Sequence, residues 1–260
     1  MVSSLRKRTI GQGEHTADAI RRAGLALIYE KGYAAVSMRD LAQEVGIGLS
    51  SIYNHISTKQ ALLVELLLGH MKDLIDGLQP VLEAHRHESG RDRLLAFADF
   101  HLRYHLTRRV EVFVINSELR SLEPAHRGTV IALRRRYETH LVEILEAGEA
   151  DGTLRVEDAR VTAYALIAML TGVCNWYRPD GRLTQDAIVR MHLNLLVDGL
   201  AAQKNLAADR ASRHSVVDDG AQAPGVVAGP APGVGEVRFE VAVAGADQGV
   251  GQVEQLGALA

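Results

Sequence analysis

Apolar residues recur at helical spacing along most of this chain. From Thr16 onward, Ile20, Ala23, Leu27 and Ile28 fall on one face of a helix. Gly32, directly after Lys31, stands where a left-handed C-cap belongs. Ser37 opens a short second helix, with Asp40 three residues on as its partner in a variant of the capping box. Met38, Leu41, Ala42 and Val45 make one apolar stripe, and Gly46-Ile47-Gly48 stops that helix after two turns. A third helix is expected from about Leu49 to His55, burying Ile52 and Ile56. Ser57 reads as the cap of a fourth helix, with Gln60 in the reciprocal position. That helix carries Leu62, Leu63, Leu66, Leu67, Leu74 and Leu78, and Pro80 disturbs it late.

Further helices are expected over Arg91–Leu106, Val110–Leu122, Ala125–Ala147, Val161–Tyr177 and Thr184–Lys204. The stretch Val161–Cys174 bears no charge on any side, so burial all round is expected. In the last helix Ile188, Met191, Leu195, Leu196 and Leu200 form a stripe. The fold class is therefore all-α. Four parts are expected: a flexible basic arm over 1–13, held irregular by Gly11 and Gly13; a helix-turn-helix domain over 14–74; a helical body over 75–205; and a disordered tail over 206–260. The tail lacks lysine and is dominated by Gly, Ala, Val and Pro.

Composition narrows the class. Apolar residues make up 47% of the 260, enough for a real core, and the longest uncharged apolar stretch falls short of the ~18 residues that mark a membrane span. The N-terminus has no apolar segment behind Arg6, Lys7 and Arg8, so no secretory signal is read there. One cysteine, Cys174, cannot form an internal disulfide, which fits a reducing cytoplasm. Net charge is −3, yet residues 1–60 carry eight Lys/Arg against five Asp/Glu. A basic head on an acidic body suits a protein whose head alone meets phosphate.

Two short helices joined by a glycine turn, after a longer helix, are the layout of a DNA-reading helix-turn-helix, here Ser37–Ile56. The second short helix begins with small or medium side chains, Leu49, Ser50 and Ser51, followed by Tyr53, Asn54 and His55. Hydroxyl, amide and imidazole groups at this density suit base edges and phosphates. Lys59 sits in the first turn of the next helix, where the helix dipole disfavours a cation and a phosphate would offset the cost.

The residues themselves go further. Lys31-Gly32-Tyr33-Ala34-Ala35-Val36-Ser37-Met38-Arg39-Asp40-Leu41-Ala42, Val45-Gly46-Ile47, Ser51-Ile52-Tyr53-Asn54-His55-Ile56, Lys59 and Ala61-Leu62-Leu63 closely resemble the N-terminal domain of the TetR family of repressors. The resemblance spans about Glu14 to Met71. It implies a homodimer whose recognition helices enter successive major grooves of a palindromic operator in double-stranded DNA. It further implies a phosphate contact for Ser37, groove-facing places for Leu49, Ser50, Ser51 and Asn54, and backbone contacts for Tyr53, His55 and Lys59. Leu49 departs from the lysine or polar residue common in the family, so readout there would be apolar. Ile56 replaces a usual phenylalanine.

For the body, the resemblance implies a small-molecule effector and dimerisation, with Val161–Cys174 and Ile188–Leu200 as the interface pair or, alternatively, as monomer core. Ile115-Asn116-Ser117-Glu118-Leu119-Arg120-Ser121-Leu122 and Cys174-Asn175-Trp176-Tyr177-Arg178-Pro179-Asp180-Gly181-Arg182-Leu183 resemble a subgroup responsive to acyl-CoA thioesters of fatty-acid or steroid breakdown. The alternative effector is a hydrophobic ligand or drug without CoA. A CoA ester needs cations for its phosphates, which Arg134-Arg135-Arg136, Arg178 and Arg182 offer, unless the triplet is a solvated face. Trp176 would stack on adenine, line the tunnel or pack an interface. His101 and His105 stand four apart beside Tyr104; no third ligand completes a metal site, which leaves a pocket lining or a surface pair. Effector candidates are thus His101, Tyr104, Asn116, Arg134, Asn175, Trp176 and Arg178. No nucleophile or acid/base constellation stands out, so no enzyme and no cofactor are expected; the rival class is a helical small-molecule-binding enzyme with the first three helices as scaffold.

Overall fold

A computed structural model describes residues 2–200, with side chains from His15 to Leu196. The tail expected over 206–260, the final turn to Lys204 and the side chains of Arg6, Lys7 and Arg8 lie outside the described residues. Among those described, the chain is helical, without a strand. The helices are α1 Val2–Lys31, α2 Met38–Val45, α3 Leu49–Tyr53, α4 Lys59–Ala84, α5 Gly90–Thr107, α6 Arg109–Ser117, α7 Pro124–Ala150, α8 Ala159–Trp176 and α9 Gln185–Leu200. Single 3-10 turns occupy Tyr33–Ala35 and Leu119–Ser121.

Several boundaries differ from the sequence reading. Residues 2–13 of the expected arm are helical backbone continuous with α1. Gly11 and Gly13 each cost a helix about 1 kcal/mol, and a helix already anchored from Ile20 propagates through them residue by residue. The third helix ends at Tyr53 rather than His55, and α4 is capped by Thr58, not Ser57: Thr58 Oγ1 accepts the Ala61 N–H at 2.9 Å. Pro80 is carried inside α4, which ends one turn later at Ala84. The helix expected over 110–122 divides into α6 and the 3-10 turn.

In the head, Ile20, Leu27 and Ile28 of α1 bury against Leu41 and Ala42 of α2, Ile52 of α3 and Leu62 and Leu63 of α4. Each fully buried Leu or Ile contributes roughly 1.5–3 kcal/mol relative to exposure. The Arg21 guanidinium of α1 is ion-paired with Glu65 of α4. In the body, α5 packs against α4, α7, α8 and α9, and α7 against α4 and α8. Phe97, Leu102, Leu141, Ile144, Leu145, Leu170 and Val173 fill the centre. The head meets the body where α1 and α4 pack on α6.

The α8 stretch is not buried all round. Ala163, Leu166, Leu170 and Val173 face the core, whereas Val161 is 64% and Tyr164 49% exposed. A helix of a small layered body has core on one side only. Periodicity counts apolar positions without saying which side they serve, and here the second apolar face is open. On α9, Met191 and Leu195 are likewise about half exposed, at 50% and 57%.

Candidate nucleic-acid interface and effector body

The turn between α2 and α3 is built from local chemistry. Ser37 Oγ accepts the Asp40 N–H at 3.2 Å, and the Asp40 carboxylate accepts the Ser37 N–H at 2.8 Å, completing the reciprocal cap. The Ser37 hydroxyl donates to the same carboxylate at 2.6 Å, and these bonds hold the Asp40 carboxyl below its usual range. Gly46 ends α2 at φ 75°, ψ 29°, a left-handed conformation that admits glycine without strain. Gly32 also has positive φ, but at ψ 151° it is extended, not the left-handed cap expected of it. It swings the chain into the Tyr33 turn.

This frame sets α3 at the surface. Ile52 is fully buried, and Ile56 just beyond the helix is buried too, so α3 is anchored by one side. Ser50, Tyr53 and Asn54 are exposed, Tyr53 by 50%. Ser51 and His55 are half-buried, and Leu49 is half-buried against the core. The structure thus brings the eight candidate contacts onto one region but gives them unequal access. Lys59 is committed internally: Nζ donates to the carbonyls of Tyr33 at 2.9 Å and Ala34 at 3.3 Å, and lies 4.3 Å from the Tyr33 ring centroid. The cost of a cation at the start of α4 is offset by these carbonyls and the ring. Arg39 stands exposed on α2 and was passed over in the sequence reading; its placement depends on the turn that sets α2 against α3.

The joint between head and body is polar. Glu118 Oε1, at the end of α6, accepts the Tyr33 N–H at 3.1 Å, and Glu118 Oε2 accepts the Ser121 hydroxyl at 2.6 Å. Gln60 lies 2.9 Å from Tyr33 Oη. Turned so that its NH2 faces that oxygen, its amide also donates to the Ser121 carbonyl at 3.2 Å and accepts the Glu123 N–H at 2.8 Å.

The effector candidates fall into three places. His101 and Tyr104 are buried in α5. Asn116 and Arg134 meet between α6 and α7: Arg134 Nη2 donates to the Ile115 carbonyl at 2.9 Å and to Asn116 Oδ1 at 3.0 Å. Asn175, Trp176 and Arg178 stand exposed at the far end of α8, with Trp176 stacked on His192 of α9, ring centroids 6.1 Å apart. The arginine triplet is split, since Arg134 turns inward while Arg135 and Arg136 are exposed.

His101 and His105 are not a surface pair. Their rings stack at 3.8 Å between centroids, and His101 is hydrogen-bonded through Nδ1 to Tyr137 Oη at 3.0 Å and through Nε2 to Thr171 Oγ1 at 3.1 Å. His105 Nδ1 donates to the His101 carbonyl at 2.8 Å, and the Cys174 thiol donates to the His105 carbonyl at 3.4 Å. His70 of α4 joins from the other side, with ring centroids 5.6 Å from Tyr104 and 6.4 Å from His105. Burial holds His105 down to about 4 and His70 to about 3, lowers His101 well below its ordinary value, and pushes the Cys174 thiol up to about 11. Among the described residues no group of three His, Cys, Asp or Glu is placed to hold a metal ion. No described helix is long and apolar enough to cross a membrane. A groove of about 780 Å³ runs between α4 and α5, lined by Val81, Leu95, Phe100 and Tyr104 among others. It reaches only Tyr104 of the effector candidates.

A helix-turn-helix head with an exposed recognition helix, joined to a helical body, defines a DNA-binding transcriptional regulator. A family model described as bacterial regulatory proteins, tetR family, matches residues 20–66, and one described as Tetracyclin repressor-like, C-terminal domain, matches residues 87–200. The TetR family transcriptional regulator PfmR from Thermus thermophilus is 31% identical, with a TM-score of 0.63 over 69% of this chain and 97% of that one. The HTH-type transcriptional repressor KstR2 of Rhodococcus jostii (strain RHA1) is 27% identical over 181 residues, 69% of this chain and 88% of KstR2. AibR, solved in complex with isovaleryl coenzyme A and operator DNA, is 26% identical, with a TM-score of 0.63 over 69% of this chain and 97% of AibR. The chain belongs to the TetR family.

Proposed function

We propose that the protein is a homodimeric repressor that holds a palindromic operator and lets it go when a small ligand, an acyl-CoA thioester, binds the body. The observation that carries the DNA half is α3: Ile52 and Ile56 anchor it while Ser50, Tyr53 and Asn54 are exposed on one short helix after a glycine turn. In this reading Leu49, Ser50, Ser51 and Asn54 meet base edges, and Ser37, Tyr53, His55 and Lys59 position the head on the backbone. Two heads one helical turn apart, about 34–36 Å, fit adjacent half-sites. The open apolar faces of α8 and α9 (Val161, Tyr164, Met191, Leu195) supply the dimer contact. The effector half draws support from AibR, whose solved complex contains isovaleryl coenzyme A.

Capture of genomic fragments by the purified protein tests the first half. An enriched palindrome is expected, and no enrichment over a non-specific control at physiological salt defeats the reading. Tyr53→Ala should weaken binding to that fragment in a mobility-shift titration while the dimer stays folded. For the second half, isovaleryl coenzyme A is titrated into the protein–DNA complex, and release is expected. A complex that persists at saturating isovaleryl, long-chain and steroid-derived CoA esters rejects a CoA effector and favours a hydrophobic ligand without CoA.

A further inference from the structure

Within Ser37–Ile56 the only lysine or arginine is Arg39, set against two carboxylates, Asp40 and Glu44. The helix-turn-helix is therefore not basic in itself, and its attraction to phosphate rests on few groups. Two side chains assigned above to the DNA backbone spend donors inside the head. The Ser37 hydroxyl gives its proton to the Asp40 carboxylate at 2.6 Å, which also sets a negative charge beside it. Lys59 Nζ commits N–H groups to the Tyr33 carbonyl at 2.9 Å and the Ala34 carbonyl at 3.3 Å.

Arg39 is placed differently. It is the second residue of α2 and exposed, and among the described residues it makes no ion pair and no side-chain hydrogen bond. The sequence explains why. Side chains three and four residues apart meet on a helix, and those positions around Arg39 hold Ala35, Val36, Ala42 and Gln43, none of them acidic. Asp40 is adjacent in the chain, where side chains do not face each other, and is engaged in the reciprocal cap with Ser37. A cation in a first helical turn also opposes the helix dipole, a cost that a bound anion reverses. The place of Arg39 in the motif says which anion. In a helix-turn-helix the second short helix enters the major groove and the first crosses the sugar-phosphate backbone. Here α2 is the first and α3 the second, joined by the left-handed turn at Gly46. A planar guanidinium fork on the crossing helix matches the oxygens of a phosphate.

We infer that Arg39 binds a DNA phosphate in each head and is the charge contact of the helix-turn-helix. This rests on the regulator reading above and adds a residue to the group that positions the head on the DNA backbone. It reads no base, so its contribution is the same on every sequence.

The test is fluorescence anisotropy of the full-length protein with a labelled duplex of random sequence. About 30 base pairs cover two heads one helical turn apart, and salt is varied from about 50 to about 200 mM. Wild type is compared with Arg39→Gln, Arg39→Lys and the control Arg136→Gln, exposed on α7. Glutamine is a good helix former, so the Arg39→Gln head should keep its fold. Log affinity falls with log salt by about 0.9 per phosphate neutralised, so losing the contact in both heads should flatten the slope by about 1.8. Binding at the low-salt end should weaken about tenfold or more. Arg39→Lys keeps the charge and should keep the slope, and Arg136→Gln should change affinity by less than about twofold. A slope and affinity equal to wild type in Arg39→Gln overturn the contact, as does absence of duplex binding by wild type at about 50 mM salt. The captured palindrome gives a second arm, read on its single-base variants. Arg39→Gln should weaken all of them by one common factor, whereas discrimination lost at a single base position signals a base contact and overturns the phosphate. If a palindrome is captured while Arg39→Gln binds like wild type, the contact falls and the regulator stands. If no palindrome is captured but the slope flattens, the contact stands and the sequence-specific regulator falls.

Discussion

Replacing Glu118 by alanine removes the contact that ties the end of α6 to the head. Glu118 Oε1 accepts the Tyr33 N–H at 3.1 Å, while Lys59 holds the Tyr33 carbonyl at 2.9 Å, so both polar groups of one peptide turn are held by charged side chains. A hydrogen bond to a charged acceptor contributes about 1.5–3 kcal/mol. The site is only part-buried, so water recovers some of the loss, and about 1–2 kcal/mol is expected for Glu118→Ala. Glu118→Gln keeps an acceptor without its charge and should cost about half as much. Ser121→Ala removes the hydroxyl that orients Glu118 at 2.6 Å and should cost about 0.5–1 kcal/mol. Equilibrium urea unfolding gives the global term. Amide exchange at Tyr33 gives the local one, expected to quicken about tenfold for each 1.4 kcal/mol lost from that opening. Unchanged Tyr33 exchange in Glu118→Ala would show that the carboxylate does not hold the turn, whatever the global stability does.

Three further outcomes are expected. His70, His101 and His105 have folded pKa values below the ordinary 6.5, so protons prefer the unfolded chain; their contribution to stability is full above about pH 6.5 and is lost as pH falls toward about 4 for His105 and about 3 for His70. His105→Phe should therefore lower by one the protons taken up across acid unfolding, and equal uptake in both proteins would count against neutral burial. Leu195→Glu, on the open face of α9, should shift the dimer to monomer in sedimentation with the fold kept; a persisting dimer moves the interface elsewhere. Gly46→Ala forces a side chain to φ 75° and should cost about 1–2 kcal/mol in chemical unfolding, whereas a loss under 0.5 kcal/mol would mean the turn relaxes.

Much of the head was legible in the sequence because its signals are local. A capping box spans Ser37 to Asp40, an apolar stripe recurs every three or four residues, and a glycine follows α1 and α2; all act within one or two turns of backbone. The same locality explains the misses. Ser57 and Thr58 are both competent caps, and only the direction in which α4 leaves the turn selects Thr58. The bonds from Lys59 to the Tyr33 and Ala34 carbonyls were not legible because those partners are more than twenty residues away. The four-residue spacing of His101 and His105 fixed their shared helix face, yet not whether water or Tyr137 and Thr171 lay opposite.

Sequence alone determined the all-helical class, the helix-turn-helix between Ser37 and Ile56 and the family, because periodicity, caps and glycines act through nearest neighbours on the chain. Tertiary structure decided which apolar face of α8 stays open, which of three consecutive arginines turns inward, and that His70, thirty residues and more from its neighbours, completes a buried cluster with Tyr104 and His105. Those are properties of packing, where burial and unpaired charge arise only once distant helices share a core.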